Sequence, residues 1–295
     1  MTALPLPDAD PRARRGTAAL LGVRAFLRAN PAIAAGALLL LLMFAMALLA
    51  PWLGTVDPTA LSPASRLRAP SAQHWFGTDA LGRDVYSRVV YGARVSLLVG
   101  FSVAIGASVL GIAIGLVSGY MRRLDSVLMR MMDGIMSIPP ILLAITLMAL
   151  TQASVKNVIL AITVAEAPRM GRLTRGLVLS IREQPYVEGA IAAGTRTWKI
   201  MLRHILPNTL APIVVQATYV CASAMIIEAV LSFIGAGTPP LVPSWGNIMA
   251  EGRALWQIKP YIVFFPAIFL SLTVLAVNLL GDGLRDWLDP RTRKG

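Results

Sequence analysis

Residues 95–121 read VSLLVGFSVAIGASVLGIAIGLVSGYM, 27 residues without a single charge. A crossing of the hydrocarbon core needs roughly 20 apolar residues, and a helix is the form in which such a segment satisfies its own backbone hydrogen bonds. Four more uncharged windows lie at residues 29–56, 134–155, 204–227 and 260–281. Five membrane-spanning helices are therefore expected. The composition agrees, because 14% charged residues among 295 is far below the roughly 25% of soluble domains. An all-α integral membrane protein follows, and the single Cys221 excludes an intramolecular disulfide or a cysteine metal cluster.

A sixth span is expected at residues 157–180. Its first nine residues are uncharged and Leu173, Leu177 and Ile181 continue at helical spacing, although it carries Glu166, Arg169, Arg172 and Arg175. Its basic half would lie near an interface or against protein. Asn30-Pro31 reads as an N-cap and first helical position after a basic tail, which makes the first span an uncleaved anchor. With six spans, sixteen Lys and Arg fall on the side of the termini and eight on the other, so both termini are expected in the cytoplasm. Gly111, Gly115 and Gly119 give the second span a small-residue packing face, the mark of a central helix. Prolines 139, 140, 168, 207, 212 and 266 are expected to kink or start helices.

Several chemistries are excluded. None of Lys156, Lys199, Lys259 and Lys294 sits in a phosphate-binding loop, so the chain is not expected to hydrolyse ATP. His74 and His204 supply neither a metal site nor a buried serine–histidine pair. The net charge of +12 comes from basic residues flanking apolar segments, with no run longer than two, which argues for a bilayer and against nucleic acid. Glu166 and Arg169, spaced i, i+3, could pair on one helix face, and Glu228 lies toward the far end of the fifth span. Charges within spans face partners or aqueous pathways, so these three are candidates for a substrate pathway or a buried pair.

Between the fourth and fifth spans, Gln184-Pro185 opens a polar stretch that Leu206-Pro207 closes, and Gly194 bends it into two short helices. At 100° per residue Trp198, Met201, Leu202 and Ile205 share one side while Arg196, Lys199 and Arg203 share the other. Such a segment fits a helix lying in headgroups. Its spelling adds a second reading. Glu188-Gly189-Ala190-Ile191-Ala192-Ala193-Gly194, followed after nine residues by His204-Ile205-Leu206-Pro207, resembles the cytoplasmic EAA loop of permease subunits of bacterial ABC importers. Gly189 replaces the usual second alanine and His204 an isoleucine. Three further blocks resemble the C-type permeases of dipeptide, oligopeptide and nickel importers. These are Trp75 to Ser96, with Gly77, Thr78, Asp79, Gly82, Arg83 and Asp84 at its core; Leu231 to Gly246; and Asn278 to Pro290.

The resemblance implies a type I ABC importer permease fold with six transmembrane helices in the bacterial inner membrane. It implies a heterodimer with a B-type permease, two ABC ATPase subunits that carry ATP and Mg, and an external substrate-binding protein; this chain itself binds no cofactor and no metal. The coupling segment would be Glu188, Gly189, Ala190, Gly194, Trp198, Met201, Leu202, Arg203, His204, Ile205, Leu206 and Pro207. Residues 77–84 would cap the helix that follows, touch the binding protein or gate the outer mouth. The expected organisation is a cytoplasmic tail at 1–29, a first span at 30–56, a periplasmic segment at 57–94, a five-helix core at 95–282 with its coupling loop at 182–207, and a cytoplasmic tail at 283–295. Peptide is the leading substrate class; nickel chelates, glutathione and oligosaccharides are the alternatives. An ion-coupled secondary transporter using Glu166 and Glu228 is the rival from another class.

Overall fold

The computed structural model describes residues 27–28 and 30–288. The N-terminal tail ahead of Leu27 and the basic residues Arg291, Arg293 and Lys294 lie outside the described residues. Every regular element within them is helical, apart from one isolated bridge between Thr78 and Asp84. In chain order these are α1 (Pro31–Leu48), α2 (Val85–Tyr120), α3 (Arg122–Met136), α4 (Pro140–Ala149), α5 (Val155–Ile181), α6 (Pro185–Ala192), α7 (Thr197–Ile200), α8 (Leu206–Phe233), α9 (Trp245–Gly252) and α10 (Tyr261–Leu288). A π-helical turn, Met201–Ile205, joins α7 to α8.

Four stretches are long and apolar enough to cross a membrane: α1, α2, the run Thr197–Phe233 and α10. The window at 134–155 was expected to give one crossing helix, and here the structure differs. Its chain is divided between α3 and α4, which meet at a bend of 86°. The cause is Pro139-Pro140: Pro140 has no N–H to donate and forces Pro139 into an extended backbone, with φ −52° and ψ 135°. The resulting α4, 10 residues long, rises only about 15 Å, so the pair can cross only together. Helix α5, with 27 residues, is about 40 Å long and could reach across. Its five charged residues keep it from being apolar enough by composition.

The helix α2 stands at the centre, touching α1, α3, α5, α8, α9 and α10, and its most extensive contact is with α5. Gly111, Gly115 and Gly119 lie on Met170, Gly171, Thr174 and Val178, so close that a Cβ on any of the three would fall inside 3 Å of α5 atoms. In lipid there is no hydrophobic gain from helix association; close van der Waals packing has to supply the attraction, and glycine permits it. A second tight contact joins α1 and α10. A Cβ on Gly36 of α1 would lie 2.7 Å from the Ala276 carbonyl oxygen of α10, and Gly283 of α10 abuts Ile33 of α1.

Replacing Gly115 with Leu should push α2 and α5 apart and lower stability by about 1–3 kcal/mol, the usual cost of overpacking. The thermal unfolding midpoint of the purified protein in detergent would report it. Gly176→Leu, at a position with nothing within 4 Å, is the matched control and should leave the midpoint in place.

Candidate functional site

The segment between α5 and α8 is fastened by three aliphatic side chains. Val187, Ile200 and Ile205 are buried against Leu116 of α2 and Val178 of α5. Pro185 starts α6, and Gly194 ends it with φ +73°. The Gly194 N–H donates to the Ile191 carbonyl at 2.9 Å and the Thr195 N–H to the Ala190 carbonyl at 3.1 Å, the paired closure that needs a left-handed residue between helices. The expected bend between two short helices is therefore present. Asn208 secures the exit, donating from Nδ2 to the His204 carbonyl at 2.7 Å and to the Tyr186 hydroxyl at 3.2 Å.

The buried residues do not all come from one side of the helical wheel. Ile200 and Ile205 are buried and Met201 is half-buried, whereas Trp198 and Leu202 stand about half exposed. The π turn explains this: its i to i+5 bonding holds more residues per turn than the 3.6 the wheel assumes, so the phase slips between Ile200 and Ile205. The outward surface carries Tyr186, Ile191, Trp198 and Leu202 together with the exposed Glu188, Gly189, Arg196, Lys199, Arg203 and Pro207, while Ala190, His204 and Leu206 are intermediate. Large apolar side chains exposed among charged ones are the composition of a protein-docking surface.

Halfway along α5 the structure brings Glu166 and Arg169 together, Oε2 to Nη1 at 3.3 Å. The carboxylate is buried, at 1% exposure, while the guanidinium side chain is 49% exposed. Ser223 of α8 donates to Glu166 Oε1 at 3.1 Å. The next two arginines of α5 are engaged elsewhere. Arg172 reaches Asp133 at 2.5 Å, and Arg175 grips Asp125 with two nitrogens at 2.5 and 2.6 Å, clipping α3 to α5. Toward the end of the helix, Leu173 lines a cleft of about 500 Å³ with Pro212, Gln216, Tyr219 and Arg285.

Glu228 belongs to a different place. It is wholly buried and accepts from Ser232 at 2.8 Å, within a polar cluster in which Thr238, Ser244 and Asn247 bond one another. That cluster ties α8 to the chain entering α9. Within Pro239–Gly246, Ser244, Trp245 and Gly246 are buried while Pro240 and Leu241 are exposed, and the Trp245 indole N–H donates to the Val89 carbonyl at 3.0 Å.

At the other end of α2, residues 77–84 fold inward. Asp84 caps α2, accepting from the Ser87 N–H at 2.8 Å, and is joined by His74 Nδ1 at 3.0 Å. Gly77, Thr78, Gly82 and Arg83 are also buried, so the side chains expected as candidates for binding-protein contact do not form an exposed surface. Asp79 instead accepts from Arg83 and from Arg88, each at 2.7 Å, and both arginines also meet Glu251 of α9. Two guanidinium groups thus alternate with two carboxylates in a ring joining the 77–84 segment, α2 and α9. Arg88 and Trp245 stand inside the family-like sequence blocks, but no pattern marks the lone Glu251; only the fold delivers it to Arg83 and Arg88.

Residues 107–294 match the family described as binding-protein-dependent transport system inner membrane component. A probable peptide ABC transporter permease of Sinorhizobium fredii is 49% identical over 265 residues, covering 90% of this chain and 91% of that protein. A dipeptide transport system permease of Alkalihalophilus pseudofirmus is 40% identical over 292 residues, covering 98% and 96%. Among solved structures, a chain of a methionine ABC transporter in inward-facing conformations superposes with a TM-score of 0.58 at 21% identity, over 68% of this chain and 97% of that one. That likeness is one of fold.

Breaking the charge ring should be costly. Arg88→Met removes the guanidinium that bridges both carboxylates, and losing one partner of a buried ion pair typically costs about 3–5 kcal/mol. A clear drop in the thermal midpoint is expected, with Arg88→Lys recovering only part of it, because a point charge cannot span Asp79 and Glu251 together.

Proposed function

The chain belongs to the family of binding-protein-dependent transport system inner membrane components, and we propose that it forms half of the translocation pathway of an ATP-driven importer of di- or oligopeptides. It is a multi-pass membrane protein and a transport component, with no part in the chemistry of ATP. The peptide assignment draws on relatives whose names specify peptide and dipeptide transport. In our reading the other half of the pathway is a B-type permease, ATP and Mg²⁺ act in two ABC ATPase subunits, and an external binding protein delivers the substrate. The chain would cross the membrane six times, with the bent α3–α4 pair and α5 as two of the crossings and both termini in the cytoplasm.

The observation that carries this proposal is the outward surface of α6 and α7, whose apolar side chains stand on a segment anchored by Val187, Ile200 and Ile205. Closure of the ATPase dimer would push on that surface. Because the three anchors press on Leu116 and Val178, the push would pass into α2 and α5 as a rigid-body movement. Helix α8 continues directly from the π turn, so the same displacement would travel to Glu228 and the cluster holding α9. The ring of Asp79, Arg83, Arg88 and Glu251 would brace the outer mouth, and residues 77–84 would serve there as part of the gate.

Gly194→Pro is the sharpest test. Proline can adopt neither φ +73° nor the bond to Ile191, so the closure between the two short helices is lost while no neighbour is disturbed. In vesicles with the complete importer, both Gly194→Pro and Glu188→Lys should reduce substrate-stimulated ATPase activity and uptake by about tenfold, a loss of about 1.4 kcal/mol in coupling. Membrane insertion should be preserved. Normal stimulation and uptake in both variants would refute the coupling assignment.

A further inference from the structure

Helix α5 presents three arginines toward its second half, and their engagements differ. Arg172 and Arg175 are held by Asp133 and Asp125 of α3 at 2.5–2.6 Å. Arg169 has one contact at 3.3 Å, to a carboxylate oxygen that itself accepts no hydrogen bond. A guanidinium offers five N–H donors in a planar fork, so most of the binding capacity of Arg169 is unspent among the described residues. Its neighbours in sequence, Pro168, Met170 and Gly171, are all buried, yet the Arg169 side chain is 49% exposed.

Position makes that exposure informative. Arg169 is the fifteenth residue of a helix of 27, about 21 Å from its start. A guanidinium part-way along a membrane-crossing helix is costly against lipid, so it snorkels to an interface or faces a watery passage or a partner chain, and the single long contact of Arg169 favours the passage. The fork matches a carboxylate in two parallel hydrogen bonds. Every linear peptide, whatever its side chains and length, carries one such group at its C-terminus.

Building on the peptide-importer reading, we propose that Arg169 receives the α-carboxylate of the peptide in the translocation pathway. Glu166 is its counterion while the pathway is empty. Arg169 can keep its contact with Glu166 through Nη1 while its remaining N–H groups receive a carboxylate in the passage, and the Ser223 hydroxyl holds Glu166 Oε1.

The test uses the complete importer in proteoliposomes, with saturating binding protein, ATP, and two probes: a dipeptide and its C-terminal amide. The discrimination made by the binding protein enters wild type and variants alike and cancels in the comparison. Arg169→Gln should slow uptake of the free acid about tenfold and change uptake of the amide less than about twofold. Arg169→Lys, which keeps the charge but not the planar fork, should recover uptake of the free acid only in part, to about threefold to fivefold below wild type. Equal slowing of acid and amide would show that Arg169 serves the fold or the partner permease, and no slowing of either would show that it lies off the path; each overturns the proposal. If the binding protein refuses the amide, the Lys variant decides, and failure to rescue overturns it. Absence of ATP-dependent peptide uptake in the wild-type complex is a separate outcome, which sinks the peptide-importer reading and this inference with it.

Discussion

The contact of α2 with α5 through Gly111, Gly115 and Gly119 is the constraint on which the remaining structure depends. Within hydrocarbon the two helices gain nothing by hiding apolar surface from water, so their association rests on how closely two backbones can approach. That approach fixes the rotation of α5. It turns Glu166 toward α8 and Ser223 and aims Arg172 and Arg175 at α3. It also brings Leu116 beside Val178, giving the segment at 182–207 a floor to stand on.

The two ends of α2 are built from different materials. At one end, aliphatic side chains fasten the exposed α6–α7 segment, a contact that is non-directional and can tolerate small sliding. At the other, alternating arginines and carboxylates, largely out of solvent, set distance and angle together. Under the proposed coupling, a joint that can slip would suit the side that receives a push, and a joint that holds its angle would suit the side that seals.

Much of this was legible in the sequence, for identifiable reasons. Uncharged windows locate α1, α2, α8 and α10 because hydrocarbon thickness sets a length that composition must meet. The glycine spacing of α2 foretold its central place, and Gly194 its left-handed bend. Elsewhere local pattern was insufficient. At 134–155 the expected break at Pro139-Pro140 is present, but the size of the turn, 86°, depends on neighbours that no local pattern names. The helical wheel over residues 196–205 presumed a period that the π turn breaks, so Ile200 was overlooked, and Ile205, grouped with Trp198 and Leu202 on the wheel, is buried while those two are exposed. Glu251 lies 172 residues from Asp79 in the chain, and no spacing rule connects them; only the folded path of α9 over α2 does.

The pairing of α1 with α10 has a consequence for how the molecule comes into being. Gly36 presses on Ala276 and Leu280, and Gly283 on Ile33, so α1 finds this fitted neighbour only when α10, far later in the chain, has been made. Until then α1 has only its contact with α2, where Arg94 donates to the Ala47 carbonyl at 2.6 Å. Completion of the fold is thus the seating of α10 on α1, and a chain cut short before α10 leaves α1 held by α2 alone.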